Sequence, residues 1–590
     1  MNLNPEQSLV AASRARRTLV QAGAGTGKTA ASVGWVSSLI DEGVSARNIL
    51  MMTFTRKAAL EMVTRAVREV GEEARKVIAG TYHSIAVSLI RRAARDFGFG
   101  SDRISLMDQN DSRSLWRTAV RECGLKNPVP GAFTVADAVS ALRNRNQDVE
   151  QGLKVMFGDD THAVRLANAY EALKAKGSLL DYDDLLVRWR DRLRDDSAYA
   201  ARLRERFQYV LVDEMQDNNV LQYEILHYIN PAHLLVVGDL NQSIYAFRSA
   251  EPALMLRFQD ENPDAQVIRL QTNYRSGQPI LDLANDVIAD SEAPIHLTSA
   301  TGADACVYAR QFTSPDAEAE VLCDEIAGLL SRGHAGNTIA VLARASRNMR
   351  QLEVELRRAK IEYRKYGGQS VAEAAEVKDF TSFIRLVHNP KDRPALIRAL
   401  MLFPGVGEVQ ANKAAESDDF FGSFPKKATE ARHWIEDMRT LPFPEAMSYL
   451  VTKIEPLIQA NYPDNAAERI INLHNLTQDC TRGGFTLIDF IDAFVTERLE
   501  GPHPENAITL STIHSAKGLE WEDVYLIGAG SCQMPHSRTE TAEDYKEERR
   551  LMYVAVTRAR TNLLISYPSY CGNNMQVPSP LLPSWVEWDS

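Results

Sequence analysis

Cysteine is scarce in this chain, with six in 590 residues (Cys123, Cys306, Cys323, Cys480, Cys532 and Cys571), no CxxC pair and no histidine at zinc-finger spacing. This excludes a disulfide framework, argues against an iron–sulfur cluster or structural zinc, and points to a reducing compartment. Net positive charge is lacking too: 67 Lys+Arg face 78 Asp+Glu, a formal charge of −11. Attraction to polyanions follows positive field, so indiscriminate coating of nucleic acid or of an anionic membrane is disfavoured, although a local groove for a polyanion is not. Long apolar runs are missing. The longest strand-like ones, Tyr209–Val212 and Leu234–Val237, fall far short of the ~18 residues of a membrane-spanning helix. The N-terminal MNLNPEQSLV has no basic segment followed by an apolar core, so it is not a signal peptide. The expectation is a soluble cytoplasmic protein without membrane contact.

With 45% hydrophobic and 25% charged residues the composition is that of an ordinary globular protein. Its length predicts about four structural units. Short apolar runs ending in polar or glycine-rich turns recur at 18–29, 48–55, 208–217, 234–242, 337–346 and 523–530. Such runs between helical patterns predict parallel α/β sheets with sites at the strand C-termini. They form two groups, before 270 and after 335. Residues 86–185 show helical periodicity and no clear buried strand, and a second helical stretch covers 381–504 with Pro-rich joints.

AGAGTGKT follows the apolar strand TLVQ and opens a helical stretch. In Ala22, Gly23, Ala24, Gly25, Thr26, Gly27, Lys28 and Thr29 the glycines let the backbone wrap a phosphate. The helix N-terminus points at the phosphate, Lys28 adds a mobile charge and Thr29 offers a hydroxyl to Mg²⁺. A glycine-rich turn with an incidental lysine is the alternative. QYVLVDEMQD (208–217) supplies carboxylates: Asp213 can hold a metal-bound water, and Glu214 can orient and deprotonate an attacking water. Adjacent acids at a solvated strand end are the bland alternative.

At this point the chain resembles the UvrD/Rep/PcrA-like branch of superfamily 1 DNA helicases. The blocks LNPEQ (3–7), AGAGTGKT (22–29), TFTRKAALEM (53–62), GTYHS (80–84), DYDDLL (181–186), VDEMQD (212–217), VGDLNQSIYAFRSA (237–250), LQTNYRS (270–276), EVKD (376–379), TIHSAKGLEWEDVYLIG (512–528) and EERRLMYVAVTRAR (547–560) stand in family order. The resemblance implies two RecA-like P-loop NTPase cores of α/β class, with ATP between them and each interrupted by a mainly helical insertion. The first core would comprise 1–85 and 186–270, with 86–185 inserted. The second would comprise 271–380 and 505–590, with 381–504 inserted. By the same resemblance Gln7 reads adenine, Tyr274 packs on the base, Lys28 and Thr29 bind phosphate and Mg²⁺, and Asp213 is a further Mg²⁺ ligand. Gln242 senses the γ-phosphate, Arg275 and Arg558 complete the site from the second core, and Glu520 is a further nucleotide contact.

Single strands are held by aromatic faces and polar groups. The resemblance puts Thr53, Phe54, His83, Tyr245, Phe247, Arg248 and His514 along such a track, with Phe247 where relatives carry Trp. The segment 344–365 has eight Arg and Lys against three Glu, as would suit either a backbone-contact face or a solvated helix. Met215 replaces a Phe of the usual motif. The second insertion is shorter than is usual, although FPGVGEVQANKA (403–414) resembles a glycine-turn element that touches duplex backbone. The expected function is an ATP- and Mg²⁺-dependent DNA helicase and single-strand translocase moving 3′→5′ on single strands and single/double-strand junctions, with a repair, replication or nuclease partner protein. The alternative is a DNA-dependent ATPase with weak unwinding, acting as a protein remodeller or as the motor of a helicase–nuclease complex.

Overall fold

A computed structural model describes residues 2–97, 99, 104–159, 162–246, 249–366, 374–417, 424–482, 486–496, 506–571 and 574–589. Six strands build the first sheet: β1 Arg17–Ala22, β2 Ile49–Met52, β3 Ile78–Gly80, β4 Tyr209–Val212, β5 His233–Gly238 and β6 Gln266–Leu270. Their order is β3-β2-β4-β5-β1-β6, and every pairing is parallel. Six more build the second: β7 Cys306–Phe312, β8 Ile339–Ala343, β9 Tyr363–Tyr366, β10 Ile508–Thr512, β11 Trp521–Leu526 and β12 Ala559–Pro568. They run in the order β7-β12-β11-β8-β10-β9, again all parallel.

Parallel sheets are covered on both faces, so their inner strands are apolar almost throughout. Ile49–Met52 and Ile339–Ala343 are buried at every position. The edge strands are not: Gln266–Leu270 buries only Ile268 and Leu270, and the edge strand Tyr363–Tyr366 buries none of its residues fully. The apolar-run pattern accordingly finds all four inner strands of the first sheet and Ile339–Ala343 and Trp521–Leu526 of the second, and misses the edges; it also misses the inner strands Ile508–Thr512 and Ala559–Pro568. The edge position also recasts the basic segment 344–365. Part of it is the edge strand itself, where Arg and Lys discourage pairing with another chain. Arg344 binds Glu548 at 2.6 Å, Lys365 binds Glu353 at 2.5 Å and Arg358 binds Glu355 at 2.7 Å, so much of its charge is already compensated.

The chain divides into two compact units. One joins Met1–Thr81, Ala201–Gly368 and Pro502–Ser590 and holds both six-stranded sheets, referred to below as the two cores. The other joins Tyr82–Ala200 and Gln369–Gly501 and is mainly helical. Two short strands inside it, Ser105–Leu106 and Leu179–Leu180, pair in parallel; two residues each leave no periodic signal in a sequence. The two helical stretches are tied by Arg385, which hydrogen-bonds Asp111 of the first stretch and pairs with Asp392 at 2.9 Å. FPGVGEVQANKA forms a turn at Gly405, with φ +78°, followed by the helix Glu408–Glu416. Among the described residues no helix is long and apolar enough to cross a membrane.

In the first core Val20, Ile49, Leu211, Leu235 and Val237 pack with Val33, Trp35 and Leu39 of the helix Lys28–Asp41. In the second, Leu342, Val524, Leu526, Leu563 and Ile565 pack with Leu551 and Val554 of the helix Ala542–Val556, and the cluster also takes in Ala24 and Ile244 from the first core. Each such side chain stabilises by about 1.5–3 kcal/mol on full burial. The strand ends are thereby held as a rigid platform for the loops that follow.

Candidate nucleotide and nucleic-acid site

The loop Ala22–Thr29 leaves β1 and turns into the helix Lys28–Asp41, whose N-cap is Gly27. Gly25 and Gly27 have φ of +67° and +79°, a region that only glycine enters without strain. Space is tight as well: a Cβ on Gly25 would lie 2.5 Å from the Asn273 amide and 2.8 Å from Arg275 Cβ, and one on Gly27 would displace the end of the Gln7 side chain. Gln7 closes a capping box with Asn4 and donates from Nε2 to the Thr26 carbonyl at 3.0 Å. Asn4 in turn donates to the Tyr274 hydroxyl at 2.8 Å, and the Tyr274 N–H donates to the Gly25 carbonyl at 2.9 Å. Tyr274 is 48% exposed. Gln7 and Tyr274, 267 residues apart in sequence, thus flank the same loop.

Asp213 and Glu214 follow β4, and Gln242 follows β5. Glu214 takes a left-handed backbone, φ 53° and ψ 46°, which costs a non-glycine residue of order 1 kcal/mol and is typical of functional sites. Burial and the adjacent Glu214 carboxylate push the Asp213 carboxyl up, against the pull of Lys28. Burial would raise Glu214 too, but Lys28, Lys517, the Gln216 amide and Arg558 hold it down and keep it ionised. One oxygen of Asp213 and one of Asp217 are buried with no hydrogen-bond partner. Gln242 donates from Nε2 to Asp239 at 2.7 Å.

From the second core, Arg275 binds Glu520 and donates to the Thr557 carbonyl at 3.1 Å. Glu520 also binds Arg560. Burial opposes its ionisation, but these two arginines lower its pKa. Arg558 is fully buried; it donates to the carbonyls of Val554 at 2.9 Å and Leu519 at 3.0 Å. Burial and nearby Arg275 pull its pKa down to about 9.

Phe54 and Tyr245 stack on each other, with centroids 4.8 Å apart and planes 16° from parallel. The Tyr245 hydroxyl donates to the His514 carbonyl at 3.3 Å, and Thr53 is pinned to the Gly80 carbonyl at 3.0 Å. Thr53, Phe54, Tyr245 and His514 therefore lie within the unit that carries the sheets. His83 belongs to the helical unit, where it meets Tyr182 edge-on at 5.7 Å and burial depresses its pKa to about 4. Phe247 and Arg248 lie outside the described residues.

Several residues that make the site continuous escape a reading of the sequence. Lys517, two residues before Leu519, binds Asp217 and the Gln242 carbonyl; Tyr553 reaches Ala24 and Asp239; Glu547 accepts from the Ala246 N–H at 3.3 Å. All fall inside the quoted blocks, yet only the fold reveals partners that lie 275 to 529 positions away.

Comparison with known proteins identifies the family. Residues 3–263 match the UvrD/REP helicase N-terminal domain, and residues 268–421 and 419–570 match the UvrD-like helicase C-terminal domain. The ATP-dependent DNA helicase PcrA of Staphylococcus epidermidis is 31% identical, over 96% of this chain and 83% of its own length. The ATP-dependent DNA helicase UvrD1 of Mycobacterium bovis is 31% identical over 96% and 82%, and PcrA of Staphylococcus aureus is 29% identical over 96% and 83%. The chain therefore belongs to the UvrD/REP helicase family.

Proposed function

We propose that this chain is an ATP-dependent DNA helicase that moves 3′→5′ along single-stranded DNA, working at single/double-strand junctions. The observation that carries the reading is one continuous site. A phosphate loop with acids and a sensor amide lies on the first core, arginines come from the second, and a stacked aromatic pair is joined to both by Lys517. Lys28 offsets phosphate charge. Glu214, kept ionised by its cationic neighbours, orients the attacking water and accepts its proton, while Arg275 and Arg558 stabilise charge on the transferring phosphoryl group. Because these arginines come from the opposite core, hydrolysis requires a closed cleft. That requirement ties each ATP turnover to domain motion.

The donor set fits Mg²⁺, a hard cation that takes oxygen ligands, because Asp213 leaves a buried carboxylate oxygen without a hydrogen bond. Thr29 and Asp213 would hold the ion, which when bound neutralises charge across the phosphates. Phe54 and Tyr245 would part to receive a base, with Thr53 and His514 contributing within the same unit; His83, Phe247 and Arg248 are proposed as DNA contacts on the family resemblance alone. Gln7, Tyr274 and Glu520 would hold the base and sugar of the nucleotide. The proposed substrate implies action in the cytoplasm beside a DNA-processing partner.

Strand displacement on duplexes with 3′ or 5′ single-stranded tails tests the proposal. Unwinding from the 3′ tail that needs ATP is expected. Unwinding only from the 5′ tail overturns the polarity, and absence of DNA-stimulated ATP hydrolysis overturns the activity.

A further inference from the structure

We infer that the hydroxyl of Tyr553 is a positioning group for ATP hydrolysis, reaching from the second core to hold the phosphate loop in register with Asp239 and Gln242. The inference rests on the ATPase reading above and adds to it a residue outside the nucleotide, metal and DNA assignments.

Tyr553 lies in the helix Ala542–Val556 and is fully buried in the apolar cluster of the second core. A phenylalanine would fill that space equally well, so packing alone explains the ring but not the oxygen. A hydroxyl buried without hydrogen bonds costs free energy. The partners of this one, among the described residues, both lie on the other core: the Ala24 N–H donates to it at 3.3 Å, and Asp239 Oδ2 is 3.4 Å away. Burial and the Asp239 carboxylate hold the phenol well above its ordinary pKa, so it stays protonated and able to donate.

Ala24 belongs to the phosphate loop. Asp239 is the hub of the sensor loop, since its Oδ2 also accepts from Gln242 Nε2 at 2.7 Å and its N–H donates to Gln216 Oε1 at 2.9 Å. Gln216 completes the chain by donating to Glu214. One hydroxyl thus ends a series of hydrogen bonds that includes the loop, the sensor amide and the water-orienting carboxylate. Its own two contacts are long for hydrogen bonds. Contacts that serve catalysis are commonly loose before substrate is bound and tighten once the site closes. A group on the opposite core can make them short only in the closed cleft, so Tyr553 makes loop geometry conditional on closure.

The test is Tyr553→Phe in the full chain, compared with wild type by steady-state ATPase at saturating oligo-dT. A kcat about tenfold lower is expected, the scale of one lost hydrogen bond, with the KM for ATP within about twofold. Asp239→Asn should lower kcat similarly, and the double variant should be no slower than the slower single variant. A kcat of Tyr553→Phe within twofold of wild type, or a raised KM with unchanged kcat, overturns the inference. Fully additive losses in the double variant also overturn it. A wild-type chain without DNA-stimulated ATPase overturns the parent reading and this inference together, whereas an active wild type matched by Tyr553→Phe overturns this inference alone.

Discussion

Lys517 of the second core sets its ammonium 2.5 Å from the Asp217 carboxylate of the first, in a pair whose side chains are 7% and 0% exposed. The same ammonium donates to the Gln242 carbonyl at 2.7 Å and lies 5.0 Å from the centre of the Tyr245 ring. A single cation therefore touches the acid loop, the sensor loop and the aromatic pair.

Removing that cation leaves Asp217 buried without a counter-charge, a loss typically costing about 3–5 kcal/mol, whereas replacing both partners by neutral groups costs much less. We predict that Lys517→Met lowers the melting temperature and that adding Asp217→Asn restores most of the loss. Thermal unfolding followed by circular dichroism measures it. A double variant no more stable than Lys517→Met would show that the pair carries no such burden.

Lys28→Ala and Glu214→Gln should each reduce DNA-stimulated ATPase by at least about a hundredfold, for loss of phosphate charge compensation and of the water-orienting group respectively. The two differ in binding. Glu214→Gln should retain nucleotide affinity in titrations with a fluorescent ATP analogue, and Lys28→Ala should lose it. Substantial turnover by either variant contradicts the roles proposed for these side chains.

Phe54 and Tyr245 stack face to face. If a base takes the place of one ring against the other, Phe54→Ala or Tyr245→Ala should weaken oligo-dT binding about tenfold or more, since stacking contributes about 1–3 kcal/mol per base. Fluorescence anisotropy at fixed salt gives the affinity. Equal affinity for variants and wild type would remove these rings from the track.

Glu318, buried in the second core, accepts from Ser566 Oγ at 2.7 Å and from the Gly528 N–H at 3.4 Å, and burial pushes its pKa up to about 7. A solvated glutamate, as in an unfolded chain, has an ordinary value of 4.5. A carboxyl raised on folding favours the folded state most below the unfolded value, and that contribution is lost as pH rises through the folded value. Between pH 4.5 and 8 the loss amounts to about 3 kcal/mol. Glu318→Gln should flatten the fall in melting temperature over that window relative to wild type, and should be the more stable form at pH 8. Parallel pH profiles would show that the buried carboxyl is not the source.

The sequence by itself determined the chemistry available and the centres of both sheets. Buried parallel strands must be apolar, a phosphate loop needs glycine at Gly25 and Gly27, and those requirements are local enough to read from neighbouring residues. Asp213 and Glu214 were proposed from the strand end that carries them, and Gln7, Gln242 and Tyr274 from the family resemblance of their blocks. The edge strand Tyr363–Tyr366 stayed hidden because its four residues are all only partly buried, which leaves neither an apolar run nor the alternation of a half-buried strand. Only the tertiary structure decided which blocks meet. Asn4 joins Gln7 to Tyr274, Arg385 joins the two helical stretches, and Lys517 and Tyr553 cross from one core to the other. Hydrogen bonds and ion pairs act over about 3 Å whatever the separation along the chain, so partnerships spanning hundreds of residues exist only once both sheets have folded and brought their loops together.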